Sequence, residues 1–140
     1  MIISSELEML NFGQSLARDL RTPALIELVG DVGTGKTTFT RGLALGLGIK
    51  EPITSPSFTI NKRYQYPNGE LSHYDFYRLD DPGLISSELA EDLSDSQVIT
   101  VIEWGSSVAD LLPPDHLRII FTLNDNDTRT VALAQGDQHA

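Results

Sequence analysis

One eight-residue segment, Gly30–Thr37 (GDVGTGKT), constrains this chain more than any other. It has the spacing G-x-x-x-x-G-K-[ST] and lies between an apolar run, Ala24–Val29, and a segment with helical spacing, Lys36–Leu47. Glycines let the backbone wrap closely around phosphates, and the N–H groups and the positive end of the following helix favour a bound anion. The segment therefore predicts a P-loop that binds a nucleoside triphosphate. Lys36 is expected to contact the β- and γ-phosphates, and the hydroxyl of Thr37 is expected to bind Mg²⁺.

The rest of the chain predicts further helices and strands. Ile2-Ile3 is typical of a short edge strand, and Ser5 with Glu8 is typical of a capping box that starts a helix with apolar Leu7, Leu10, Phe12, Leu16 and Leu20. Beyond Lys36–Leu47, which Gly48 ends, strands are predicted at Phe58–Tyr66, Leu71–Arg78, Val98–Ile102, Leu117–Leu123 and Thr128–Leu133, and a short helix from Asp80 to about Leu93. Pro67-Asn68-Gly69 predicts a hairpin turn. Together these elements predict an α/β, three-layer P-loop NTPase-like fold, whose mixed, mostly parallel sheet carries an antiparallel hairpin and late antiparallel edge strands.

Composition limits the class of protein. With 140 residues and 40% apolar content, we expect one P-loop ATPase domain over residues 1–134 and a frayed tail over residues 135–140. The absence of cysteine excludes disulfides and Cys-ligated zinc, and no apolar run is long enough for a membrane span, so a cytoplasmic protein is expected. The net charge of −10 either keeps the protein in solution or weighs against binding nucleic acid alone.

A P-loop needs a carboxylate on the metal side, usually at the end of a neighbouring apolar strand. Val98–Ile102 (VITVI) is followed at once by Glu103, which makes Glu103 the candidate. The alternative is a solvent-facing charge at a strand end. Trp104, next in the chain, is either a core residue or a platform on which the base stacks.

The segment HYDFYR (residues 73–78) is a second polar and aromatic cluster. Strand alternation places His73, Asp75 and Tyr77 on one face. Asp75 is expected either to orient a water for attack on the γ-phosphate or to contact the water ligands of Mg²⁺. The alternative is an ordinary hairpin in which Asp75 pairs with Arg78 or His73. The guanine-reading pattern Asn/Thr-Lys-x-Asp is missing, because Asn61–Tyr64 lacks its aspartate, and this favours ATP.

Four segments together resemble the TsaE (YjeE-type) family of small P-loop ATPases. They are GDVGTGKTTFTRGLALGLG (residues 30–48), ITSPSFTI (53–60), HYDFYRLDDP (73–82) and VIEWG (101–105), and the resemblance covers about residues 5–123. It implies a weak, Mg²⁺-dependent ATPase that supports a complex of two partner proteins, TsaB and TsaD, in forming threonylcarbamoyladenosine in tRNA. The chain would not itself transfer the threonylcarbamoyl group, and it would reach tRNA only through the partners.

The resemblance also assigns roles to residues. Asp75 and Lys36 would be catalytic, Thr37 and Glu103 would hold Mg²⁺, and Thr54–Ser57 would form a switch-like loop. The nucleotide would be bound by Gly33, Thr34, Gly35, Lys36, Thr37 and Thr38 at the phosphates and by Glu6 and Arg129 at the base and sugar.

Two other functions would use the same P-loop. A small-molecule kinase would transfer the γ-phosphoryl group to an acceptor, but the chain has no clear lid segment with clustered arginines. A non-catalytic nucleotide-binding adaptor would not need Lys36, Thr37, Glu103 and Asp75 together.

Overall fold

The computed structural model describes residues 1–56, 59–77, 81, 83 and 85–135 of the protein, without the side chain of Gln135. The elements, in chain order, are β1 (Ile2–Ile3), α1 (Glu6–Asp19), β2 (Ala24–Val29), α2 (Lys36–Leu47), β3 (Asn61–Tyr66), β4 (Gly69–Asp75), α3 (Ser86–Ser94), β5 (Val98–Glu103), a 3₁₀ helix (Gly105–Leu111), β6 (Leu117–Leu123) and β7 (Arg129–Gln135). None of the helices in this part of the chain has the length and apolar character that a membrane crossing requires.

Within the described residues, seven strands form one sheet in the order β1-β7-β6-β2-β5-β4-β3. The central strands β6, β2, β5 and β4 are parallel, while β3 at one edge and β7 and β1 at the other are antiparallel to their neighbours. The predicted mixed, mostly parallel sheet is therefore confirmed. The prediction of late antiparallel edge strands is wrong for β6, which lies inside the sheet. Strand β6 is parallel to β2, and only its pairing with β7 is antiparallel. The connection through the 3₁₀ helix crosses back to the other end of the sheet before β6 begins, as a parallel neighbour requires.

Helices cover both faces of the sheet, so the fold has three layers. On one face, α1 and α2 pack on alternate residues of β2 and β5, such as Ile26, Leu28, Ile99 and Val101. On the other face, α3 and the 3₁₀ helix pack on a smaller cluster around Tyr74 and Ile102 of β4 and β5. Strand β5 is buried on both sides along its whole length, which accounts for its mostly apolar, β-branched sequence before Glu103.

Helix α1 begins, and helix α2 begins and ends, where the sequence predicts. Ser5 caps α1, and its Oγ accepts from the backbone N–H of Glu8 at 3.1 Å. Helix α2 begins directly after Gly35 and ends at Gly48, whose φ of 90° a side chain would disfavour. The buried stripe of α1 is Met9, Gly13 and Ala17, because these face α2, whereas Leu7 from the predicted apolar set is 65% exposed.

The predicted hairpin is present but shorter than expected. Strand β3 begins at Asn61, after Ile60 with its φ of 70°, and β4 ends at Asp75, so the strands are shorter than Phe58–Tyr66 and Leu71–Arg78. Phe58 and Arg78 lie outside the described residues. Of the helix expected from Asp80 to about Leu93, the structure describes the part that forms α3. Asp80, Pro82 and Leu84 lie outside the described residues. Strand β7 extends to Gln135, the first residue of the expected tail, and residues 136–140 are not described.

Candidate functional site

A cavity of about 640 Å³ opens where the P-loop meets the carboxyl ends of β4 and β5. Its walls also include the N-terminal strand, the first turns of α1 and Arg129 of β7. Of the predicted site residues, Glu6, Gly33, Gly35, Lys36, Thr37, Thr38, Asp75, Glu103 and Arg129 line this cavity. Thr34 does not line it: this side chain is buried, and its hydroxyl donates to the carbonyl of Asp31 at 2.7 Å. The structure thus brings together residues separated by most of the chain.

The backbone of the P-loop has the conformation that the glycine spacing predicts. Gly33 and Gly35 have φ values of 85° and 106°, in the left-handed region that side chains rarely adopt. A Cβ on Gly35 would also lie 2.7 Å from the terminal methyl of Met9, so α1 packs directly against the loop. Gly35 is followed at once by α2, which places the amino-terminal end of that helix at the cavity. Such an end favours a bound anion.

Lys36 is the buried cation at the centre of the site. Its side chain is 6% exposed, and its Nζ donates to the carbonyl of Gly30 at 2.5 Å. The same Nζ lies 3.8 Å from Oε1 of Glu103 and 4.3 Å from the ring centroid of Trp104. Burial lowers the pKa of Lys36, against the opposing effect of the carboxylates of Glu103, Asp75 and Asp31. A phosphate at this position would replace part of the hydration that the ammonium has lost.

Glu103 is buried, with 4% exposure, and is held between two basic side chains. Its Oε1 faces Lys36, and its Oε2 lies 2.7 Å from Nε2 of His73 on the neighbouring strand. The sequence alternative of a solvent-facing charge is therefore excluded for Glu103. The sequence suggested His73 only as a neighbour or partner of Asp75, and its pairing with Glu103 depends on the register of β4 against β5.

Asp75 lies beside Glu103, because the two residues are partners in the parallel register of β4 and β5. Its Oδ1 accepts from the backbone N–H of Tyr77 at 2.9 Å, and its Oδ2 accepts from the hydroxyl of Ser55 at 3.5 Å. Ser55 belongs to the loop predicted to be switch-like, of which Ser57 lies outside the described residues. Arg78, one of the partners considered for Asp75, is not described either, and the described partner of His73 is Glu103.

Mg²⁺ prefers oxygen ligands and is commonly held by one or two carboxylates together with substrate phosphates. Among the described residues, no three His, Asp or Glu side chains gather into a metal site, so the protein alone offers too few ligands. The hydroxyl of Thr37 and the carboxylate of Glu103 line the same cavity as the phosphate cradle. This donor set fits a metal ion that shares its coordination with a bound nucleotide.

Glu6 and Arg129 also line the cavity. Arg129 pairs with Ile3 in the register of β7 and β1, and its Nη2 donates to the carbonyl of Gly33 at 3.2 Å. Glu6 is exposed in the first turn of α1. Apolar walls that sequence reasoning missed come from Ile3, Met9 and Val32. Met9 could be found from helical periodicity and Ile3 from the strand pattern. Their place at the cavity depends on how α1 and β1 pack against the rest of the sheet.

Trp104 follows Glu103 in the left-handed conformation, with a φ of 58°. Its ring contacts Tyr77, with centroids 4.9 Å apart, and covers Nζ of Lys36. The same residue also packs against the apolar cluster around Tyr74 and Ile102. It therefore lies at the Lys36 end of the cavity as well as at the edge of the core.

Comparison with known proteins shows the family of this chain. The family model described as "Threonylcarbamoyl adenosine biosynthesis protein TsaE" matches residues 3–131, nearly the whole chain. The chain belongs to the TsaE family. The resemblance based on the four sequence segments is therefore confirmed. The prediction that the chain is a P-loop protein of a nucleotide-binding family is confirmed with it.

Three curated TsaE relatives, each named tRNA threonylcarbamoyladenosine biosynthesis protein TsaE, show the extent of the similarity. The Haemophilus influenzae relative is 32% identical over 136 residues, covering 94% of this chain and 85% of its own length. The Streptomyces coelicolor relative is 39% identical over 113 residues, covering 79% and 76%. The Bacillus subtilis relative is 37% identical over 108 residues, covering 76% of this chain but only 66%, slightly under two thirds, of its own length.

A solved structure shows the same fold. The crystal structure of YdiB from Bacillus subtilis superposes with a TM-score of 0.80 at 28% identity, covering 99% of this chain and 86% of that one. The α/β, P-loop NTPase-like fold is therefore shared by a solved protein over nearly the full length of this chain.

Proposed function

We propose that this chain binds ATP with Mg²⁺ and hydrolyses it slowly, in support of a complex of TsaB and TsaD that forms threonylcarbamoyladenosine in tRNA in the cytoplasm. The single observation that carries the proposal is the meeting of Lys36, Glu103 and Asp75 with the P-loop in one cavity. The TsaE names of the relatives support the tRNA-modification role. Residues 1–134 would act as a single ATPase domain.

Each residue has a part in the proposed mechanism. Gly33, Gly35, Lys36, Thr37 and Thr38 would hold the phosphates, and Thr34, whose side chain is turned away, would contribute only its backbone N–H. Glu6 and Arg129 would border the base and sugar. Thr37 and Glu103 would hold Mg²⁺, which supplies charge neutralisation at the phosphates when bound. Lys36 would lie at the β- and γ-phosphates and stabilise the charge that develops there.

Asp75 would position the attacking water. Its carboxylate lies next to Glu103, contacts Ser55 and lines the cavity, so it would accept a hydrogen bond from the attacking water. Because few groups other than Lys36 and Mg²⁺ would stabilise the transition state, slow turnover in the isolated chain is expected. Docking of the partners would complete the site.

The test is Lys36→Ala, measured by calorimetry with Mg·ATP. We expect the substitution to abolish measurable binding, because it removes the buried cation at the phosphates. Lys50→Ala, at an exposed lysine outside the cavity, is the matched control and should bind as the wild type does. Unchanged affinity in Lys36→Ala would falsify the P-loop assignment.

A pull-down from a bacterial lysate tests the partners. With ATP present, the wild-type chain should recover two larger proteins of the tRNA-modification system, TsaB and TsaD, and Lys36→Ala should recover less of both. Recovery of a single metabolic enzyme instead, or ATP-dependent phosphorylation of a metabolite, would support the small-molecule kinase.

A further inference from the structure

His73 is a fully buried polar side chain behind the cavity, next to Glu103. Its Nε2 lies 2.7 Å from Oε2 of Glu103, across the parallel pairing of β4 and β5. Among the described residues, its other ring nitrogen, Nδ1, has no hydrogen-bond partner. The ring therefore makes a single polar contact, and that contact is with the carboxylate proposed to hold the metal.

The direction of this hydrogen bond follows from the two groups. As a metal-binding carboxylate Glu103 can only accept, so the Nε2–H of His73 donates the hydrogen bond to Oε2. Leaving Nδ1 buried without a partner costs free energy, which an apolar side chain of similar size at this position would not cost. Packing alone therefore does not account for a histidine here.

The two oxygens of Glu103 have different surroundings. Oε2 is engaged by His73 behind the site, while Oε1 lies 3.8 Å from Nζ of Lys36. A hydrogen bond to one oxygen fixes the rotation of the carboxylate and leaves the other oxygen available to the cavity. Groups that hydrogen-bond to metal-binding carboxylates orient them in this way.

We propose that His73 is a positioning residue, which holds the Glu103 carboxylate in the orientation that Mg²⁺ requires in the nucleotide complex. This inference rests on the proposed function, in which Glu103 lies on the metal side. His73 itself does not line the cavity, so it acts through Glu103.

Two substitutions of similar polarity separate positioning from packing. In His73→Gln the amide nitrogen can occupy the place of Nε2 and still donate to Glu103, whereas in His73→Asn the amide nitrogen corresponds to Nδ1 and stops short. Binding of a non-hydrolysable ATP analogue is measured by calorimetry over a Mg²⁺ series and in EDTA. We expect both variants to bind like the wild type in EDTA, and His73→Asn to need about tenfold more Mg²⁺ while His73→Gln stays within about twofold.

The opposite pattern overturns the inference, namely wild-type Mg²⁺ dependence in His73→Asn or an equal loss in His73→Gln. Thermal unfolding of both variants shows whether the comparison is made on folded protein. If neither folds, the imidazole ¹H–¹⁵N spectrum of the wild-type protein decides: a proton on Nε2 of His73 supports the inference, and a ring without it overturns it.

The result also distinguishes this inference from the proposed function. A wild-type chain that binds no ATP analogue, with or without Mg²⁺, overturns the proposed function. A wild-type chain that binds the analogue equally well in EDTA overturns the role of His73 and Glu103 at the metal but leaves nucleotide binding intact.

Discussion

At the scale of single residues, two neighbouring carboxylates of the site are held in different ways. Glu103 is engaged by Lys36 and His73, which suits a fixed ligand. Asp75 instead accepts from the backbone of Tyr77 and from Ser55, a residue of the loop before β3. Any movement of that loop on nucleotide binding would therefore change the surroundings of Asp75 more than those of Glu103.

Asp75→Asn should keep nucleotide binding and lose hydrolysis. The amide oxygen still accepts from the N–H of Tyr77, so the local turn is retained, but the charge that would orient the water is removed. We expect affinity for Mg·ATP within about threefold of the wild type and a hydrolysis rate lower by about 100-fold, measured under single-turnover conditions with the partners present. Asp110→Asn, an exposed acid outside the cavity, is the control, and hydrolysis that persists in Asp75→Asn would show the catalytic role to be wrong.

At the scale of elements, glycines determine how closely α1 and α2 approach. A Cβ on Gly42 of α2 would lie 2.2 Å from the carbonyl oxygen of Leu10, and one on Gly13 of α1 would lie 2.4 Å from that of Phe39. These neighbours are backbone atoms, which cannot move aside without separating the helices. The close approach also positions Met9, and hence the helix wall of the cavity, against the P-loop.

Gly42→Ala should therefore destabilise the protein, although alanine normally stabilises a helix interior by about 1 kcal/mol relative to glycine. We expect the overpacking to outweigh that gain and to lower the free energy of unfolding by about 1–3 kcal/mol in urea denaturation. Leu45→Ala, at a 56% exposed position of the same helix, should change it by less than about 0.5 kcal/mol. A Gly42→Ala variant that is as stable as the wild type would contradict the close contact.

A second element-scale feature joins the hairpin to α3 on the opposite face of the sheet. Asp92 of α3 accepts hydrogen bonds from Arg63 of β3 at 2.8 and 3.0 Å, from Ser72 of β4 at 2.8 Å and from the hydroxyl of Tyr74. Burial and the neighbouring Asp92 carboxylate raise the pKa of Tyr74. The network attaches β4, which carries His73 and Asp75, to the helix layer behind it.

The pKa shift of Tyr74 predicts a loss of stability in base. A raised pKa in the folded state contributes stability that is complete below the unfolded pKa of about 10 and is lost as pH rises above it. We expect the free energy of unfolding of the wild type to fall relative to that of Tyr74→Phe between about pH 10 and pH 11, measured by urea denaturation. Tyr77→Phe, at an exposed ring, is the control, and a constant difference between wild type and Tyr74→Phe across this range would contradict the assignment.

At the scale of the whole molecule, charge decides how the chain can reach RNA. Twenty Asp and Glu residues against ten Lys and Arg give a net charge of −10. Affinity for nucleic acid comes largely from basic side chains that displace counterions from phosphates. Under the proposed function, contact with tRNA is therefore expected through TsaB and TsaD rather than through this chain.

Fluorescence anisotropy with labelled tRNA tests this expectation. Alone, the chain should show no binding up to about 10⁻⁴ M protein at about 0.1 M salt, because even non-specific affinity requires basic contacts. With TsaB and TsaD added, the chain should enter a tRNA-containing complex. Salt-dependent micromolar binding by the isolated chain would contradict this prediction.

Local sequence was sufficient to predict the strand, P-loop and helix from Ala24 to Leu47, the capped first helix and the buried strand that ends at Glu103. These depend on periodicity, caps and glycine conformation within one segment, which neighbouring residues encode directly. The three-layer, mostly parallel fold could also be predicted, because strands and helices alternate and the segment Val98–Ile102 is mostly apolar and β-branched.

Only the tertiary structure decided which predicted residues face one another. His73 and Glu103 are 30 positions apart, and Arg129 contacts Gly33 across 96 positions. These contacts depend on the register of β4 against β5 and on the docking of β7 and β1, which a single sequence does not encode locally. The sequence by itself therefore determined the phosphate cradle and the residue types around it, whereas strand pairing decided that Asp75 stands beside Glu103 and that His73 holds the carboxylate in place.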